Sequence, residues 1–122
     1  MKMILLLFVT IIMLSATALA AEQFYTSVHY DEDVSAGENV EVYYTVTNVG
    51  DRRADDVTFS VYIPDMDVYT PSNSFDIGRG NFESGVLTAD IPRDIKPGEY
   101  VVKFTARDSD EIHTRYRYVF VE

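Results

Sequence analysis

The chain has 122 residues, with twenty acidic side chains against ten basic ones and no cysteine. That length accommodates one domain. The missing thiol excludes disulfides, thiolate metal sites and lipid attachment at a cysteine. The acidic balance argues against nucleic acid and anionic lipid as partners, since both need a basic footprint.

The N-terminus reads as a targeting segment. Lys2 supplies a short positive region, Met3 to Leu14 is apolar apart from Thr10, and mostly small residues follow to Ala21. Ala18-Leu19-Ala20 fits the small-x-small rule for cleavage, so residues 1–20 are expected to be a helical signal peptide. An uncleaved anchor is the alternative. The apolar core falls short of the about 20 residues that span a bilayer, but counting on to Ala21 approaches that length. Either way residues 21–122 are expected outside the cytoplasm, secreted or held at the cell surface. Membrane contact would come through the N-terminal segment alone. With Lys2 set aside, nine bases face twenty acids, a net charge of −11.

Beyond Ala21 the pattern is period-two alternation, without a convincing helical period. Phe24 to Tyr30 is a first strand, and Asp31 to Glu38 reads as a polar turn. Asn39 to Asn48 is the clearest strand, with Val40, Val42, Tyr44 and Val46 on one face. Val49 to Asp55 turns the chain, with Gly50 free to take positive φ. Val57, Phe59, Val61 and Ile63 make the next inward face, and Pro64 stops that strand. Asp65 to Glu83 is irregular, and an edge strand with a long loop is expected there. Gly85 to Ile91 is a short strand. A two-proline loop leads to Tyr100, Val102, Phe104 and Ala106, expected inward. After the turn Arg107 to Glu111, Ile112, Thr114, Tyr116, Tyr118 and Phe120 line the last strand. Parity with the preceding strands places Tyr44, Tyr100, Tyr116 and Tyr118 inward.

About seven strands with turn signals between them predict an all-β, immunoglobulin-like, two-sheet Greek-key β-sandwich over residues 21–122. A closed barrel is the alternative. Several phrases carry a family likeness: Ser35-Ala36-Gly37-Glu38-Asn39-Val40-Glu41-Val42, Tyr44-Thr45-Val46-Thr47-Asn48-Val49-Gly50-Asp51, Ala54-Asp55-Asp56-Val57 and Lys96-Pro97-Gly98-Glu99-Tyr100-Val101-Val102. Together, over about residues 24–121, they resemble the "cell adhesion related" (CARDB-like) modules of bacterial and archaeal surface proteins, including archaeal S-layer-type proteins. The resemblance implies a structural or adhesive role, with a cell-surface protein or envelope component as partner.

The residues offer three kinds of candidate site. Catalysis lacks a pattern: there is neither a Gly-x-Ser-x-Gly elbow nor a His-Glu-x-x-His motif, and His29 and His113 are the two imidazoles. A non-enzyme without a resident cofactor is therefore expected. Calcium is the candidate metal, through Asp31 and Asp33 in one turn and Asp108 and Asp110 in another, because loop carboxylates supply its oxygen ligands. Solvated turn acids are the competing reading. The third candidate is a basic and aromatic stripe of Tyr62, Lys103, Arg115 and Arg117, expected on one outer sheet surface. It would suit a protein partner or an acidic glycan; ordinary cross-strand pairing is the competing reading.

Overall fold

Alternating residues resolve into nine strands in two sheets over residues 23–122, the part of the chain that the computed structural model describes. The expected signal helix, residues 1–20, lies outside the described residues. The strands are β1 (Phe24–His29), β2 (Asp33–Val34), β3 (Asn39–Asn48), β4 (Ala54–Ile63), β5 (Val68–Pro71), β6 (Phe75–Ile77), β7 (Phe82–Asp90), β8 (Gly98–Arg107) and β9 (Ile112–Val121). The smaller sheet runs β1-β3-β7. The larger runs β2-β9-β8-β4-β5, and β6 also pairs with β4. The chain between β1 and β2 crosses from one sheet to the other, and β2 then pairs in parallel with the end of β9. The expected immunoglobulin-like sandwich is the fold observed.

The inward faces follow from the alternation. Val40, Val42, Tyr44 and Val46 of β3 are buried, as are Val57, Phe59, Val61 and Ile63 of β4 and Val102, Phe104 and Ala106 of β8. An aromatic stack joins the sheets at mid-height. Tyr44 of β3 lies 4.3 Å from Phe59 of β4, ring centre to ring centre and nearly parallel. Phe59 stacks 6.1 Å from Phe104 of β8. Phe104 in turn lies 5.5 Å from Tyr30, whose hydroxyl donates to the Tyr118 carbonyl of β9 at 2.7 Å. Gly85 on β7 is required here: a Cβ would come within 2.5 Å of the Tyr44 hydroxyl.

One end of the sandwich is organised by Asn48, whose side chain is fully buried. Its Oδ1 accepts from Gln23 Nε2 at 2.6 Å and from the Gly50 amide at 3.1 Å. Its Nδ2 donates to the Arg52 carbonyl at 2.7 Å and the Ile77 carbonyl at 3.0 Å. All the polar capacity of the amide is thus used, as burial demands. Gly50 does not use its freedom to take positive φ. Its requirement is space, because a Cβ there would collide with the Gln23 side-chain amide.

Four readings of the sequence are corrected. The polar stretch Asp31 to Glu38 contains β2, held by two residue pairs with β9. The irregular stretch to Glu83 divides into a 3-10 turn at Pro64–Met66, β5 and β6. Strand β7 begins at Phe82 rather than Gly85, and pairs with β3 as far as Phe82↔Thr47. The fourth concerns β9. Both of its faces carry apolar residues, and the face of Tyr116 and Tyr118, expected inward, is the outer one. Register with β8 decides it: Arg117 lies opposite buried Val102 and Tyr116 opposite Lys103. Val119 and Val121 therefore face inward, while Tyr116 and Tyr118 stand outward, 65% and 50% exposed.

Two outcomes follow for stability. Asn48→Ala removes four hydrogen bonds at once and is expected to cost at least about 1–3 kcal/mol in denaturant unfolding, whereas exposed Asn73→Ala is expected to be near neutral. Burial raises the Tyr44 hydroxyl above its ordinary pKa of 10.0. The unfolded chain then ionises first, so this contribution is intact below pH 10 and is lost as pH climbs through the folded value. The fall in unfolding midpoint above pH 10 should be shallower in Tyr44→Phe than in the native chain.

Candidate functional site

The outer face of the larger sheet carries one straight row of directly opposed residues. Tyr69 of β5 pairs with Tyr62 of β4, Tyr62 with Lys103 of β8, and Lys103 with Tyr116 of β9. Side chains at paired positions share a face, and strands lie about 4.8 Å apart, so the row spans about 14 Å. Tyr62 and Tyr69 meet edge to face at 6.2 Å. Tyr69 is the more open of the two, at 63% exposure, while Tyr62 and Lys103 are half-buried. One step along the strands, Val101 pairs with Tyr118; one step the other way, Ser60, Thr105 and Thr114 form a row of hydroxyls. The Thr105 and Thr114 hydroxyls approach to 3.4 Å. Within the described residues Lys103 makes no ion pair.

Of the four residues expected in one stripe, Tyr62 and Lys103 are brought together. Arg115 and Arg117 are not: they lie on the opposite side of β9, by the parity described above. Arg115 sits 5.3 Å over the Tyr25 ring and Arg117 5.5 Å over the Tyr30 ring. Arg117 also pairs with Glu32 at 3.2 Å. The two guanidinium groups thus close the open side of the sandwich, between β1 and β9. Charges pointing inward from a strand at a sheet edge also discourage pairing with another chain. Tyr116 and Tyr118, read as core, take the outward positions instead. A period-two pattern could have found them, had the register of β9 been known.

The acidic turns sit far apart. Asp33 is beside Phe120 at one end of β9, and Asp108 to Glu111 precede Ile112 at the other. Eight residue steps from Ile112 to Phe120 make that separation about 27 Å. Asp31 Oδ1 accepts the Asp33 amide at 3.1 Å. Asp108 Oδ1 accepts the amides of Asp110 at 2.8 Å and Glu111 at 2.7 Å. These are side chain–backbone turns, which explain the acids at those positions. Asp31 and Asp33 also line an open cleft of about 350 Å³ with Glu38 and Glu41. Among the described residues, no three His, Asp or Glu side chains stand close enough to hold one ion.

The imidazoles are likewise separated. His29 is exposed and pairs with Tyr43 on the outer side of the smaller sheet, whereas His113 pairs with Ala106 on the inner side of the larger. Strands β1, β5 and β6 lie at sheet edges, β5 and β6 within the stretch where an edge strand is expected.

No protein-family model matches the chain, and no curated protein matches it. Solved structures do. The CARDB domain of a Pyrococcus furiosus protein is similar with a TM-score of 0.61 at 15% identity, over 81% of this chain and 94% of that domain. The same domain in complex with di-metal ions gives a TM-score of 0.53 at 18% identity, over 84% and 97%. Escherichia coli alpha-2-macroglobulin is similar with a TM-score of 0.65 at 9% identity, over 84% of this chain. A family 123 glycoside hydrolase from Clostridium perfringens gives 0.60 at 12% identity, over 83% of this chain. The chain spans 7% of the macroglobulin and 27% of the hydrolase. At these identities the likeness is one of architecture: residues 23–122 have a CARDB-like, immunoglobulin-like fold.

Proposed function

We propose that the protein is an extracytoplasmic, non-catalytic module. It acts at the cell surface by structural or adhesive contact with an envelope protein or another envelope component. The observation that carries this reading is the uncovered Tyr69–Tyr62–Lys103–Tyr116 row. Exposed, adjoining aromatic side chains on a rigid sheet are surface of the kind that contacts use. The signal-like residues 1–20 support export. The separation of His29 from His113 supports a non-catalytic role. The net charge suits solubility in an exposed setting.

Fractionation of producing cells is expected to recover the protein outside the cytoplasm. The purified protein is expected to bind envelope preparations from those cells. Replacing two aromatic anchors, Tyr62→Ser with Tyr116→Ser, should weaken that binding at least about tenfold, the usual weight of central interface aromatics. Tyr43→Ser, on the outer face of the smaller sheet, should leave it unchanged. Cytoplasmic recovery, or envelope binding indifferent to the double substitution, would contradict the reading.

Calcium binding is the second reading. It draws support from the acid-lined cleft beside Asp31 and Asp33 and from the di-metal complex of the Pyrococcus furiosus CARDB domain. It requires carboxylates now engaged in turns to rearrange around the ion. Thermal unfolding with and without millimolar calcium decides it: a raised midpoint supports a site on the folded state, and an unchanged midpoint removes it.

A further inference from the structure

We infer that the outer face of the larger sheet binds an oligosaccharide carrying a single carboxylate, an inference that rests on this face being the contact surface. Tyr69, Tyr62 and Tyr116 supply flat, amphipathic rings on which the C–H faces of pyranose units stack. Tyrosine gives such area at low conformational cost. The adjoining half-buried Thr105 and Thr114 supply hydroxyls for the hydroxyl-rich edge of a sugar, while Ser60 in the same row is buried. Lys103 stands in the middle of the tyrosine row without an acidic partner among the described residues. The carboxylate is placed there.

Size and charge separate this occupant from others. Four strands, read over some six residues of their length, present about 400 Å², half of the about 800 Å² per partner that a stable protein interface buries. A second copy would also bring a second net charge of −10 to a contact of that size. A densely charged polyanion meets Lys103 and, four residues along β8, Arg107, within an acidic molecule, too small a footprint to hold it. One isolated carboxylate on otherwise neutral rings matches Lys103, the one cation of the tyrosine row.

The test compares a glucuronate-containing trisaccharide with its all-glucose counterpart, titrated into the purified protein and followed by tyrosine-ring and amide NMR shifts. The glucuronate sugar is expected to perturb Tyr62, Lys103 and Tyr116 and to bind about threefold tighter than the neutral one, the scale of an exposed ion pair. Lys103→Gln should erase that difference, and Tyr116→Ser or Tyr69→Ser should weaken both sugars about tenfold. Unfolding midpoints close to the native value would confirm that these variants remain folded. Absence of binding at millimolar sugar, or equal binding of both sugars unaffected by Lys103→Gln, would overturn the inference. So would a concentration-dependent dimer lost in Tyr116→Ser, which would assign the face to a second copy. Envelope binding that persists and depends on Tyr62 and Tyr116 without any sugar affinity would remove this inference while leaving the contact reading standing.

Discussion

The aromatic stack from Tyr44 through Phe59 and Phe104 to Tyr30 is the tie on which the sandwich depends. In antibody-type sandwiches a disulfide joins the sheets and a tryptophan packs on it. This chain has neither cysteine nor tryptophan. Strands β3, β4 and β8 instead supply Tyr44, Phe59 and Phe104, all buried. Each ring pair adds about 0.5–1.5 kcal/mol beyond its buried area. The stack also fixes position. Tyr30 ends it at the point where the chain changes sheets, and its hydroxyl holds the Tyr118 carbonyl of β9.

That last hydrogen bond connects core to surface. With the backbone of β9 anchored at Tyr118 and its register set by β8, one set of alternate side chains must turn inward and the other outward. Val119 and Val121 go in. Arg115 and Arg117, on the same side but beyond the cover of the smaller sheet, cap the opening by lying over Tyr25 and Tyr30. Tyr116, Tyr118 and Phe120 are left facing water, where Tyr116 completes the row begun by Tyr69, Tyr62 and Lys103. The exposed aromatic face and the arginine-closed seam are two consequences of one register.

Much of the fold was legible in the sequence because β3, β4 and β8 each have one aliphatic face and one polar face. For such strands, alternation alone identifies the core. It failed on β9, where Tyr116 and Tyr118 alternate with Arg115 and Arg117 and then with Val119. Aromatic residues were read as core and arginines as surface, whereas partner register determines the outcome. Strand β2 was hidden for another reason: two residues in parallel pairing leave no periodic signal. Asn48 showed only as the end of a strand, because its role as a buried hub depends on carbonyls from Arg52 and Ile77, which only folding brings near. Half of the expected stripe, Tyr62 and Lys103, was found because both lie on strands with clear parity.

Hydroxyl-radical footprinting of the tyrosines, with and without envelope preparations from the producing cells, tests the assignment of the contact face most directly. The account predicts protection of Tyr62, Tyr69, Tyr116 and Tyr118, with Tyr25 and Tyr43 labelled as in the free protein. Protection of Tyr25 and Tyr43 with the other four unchanged would place the contact on the smaller sheet and contradict it.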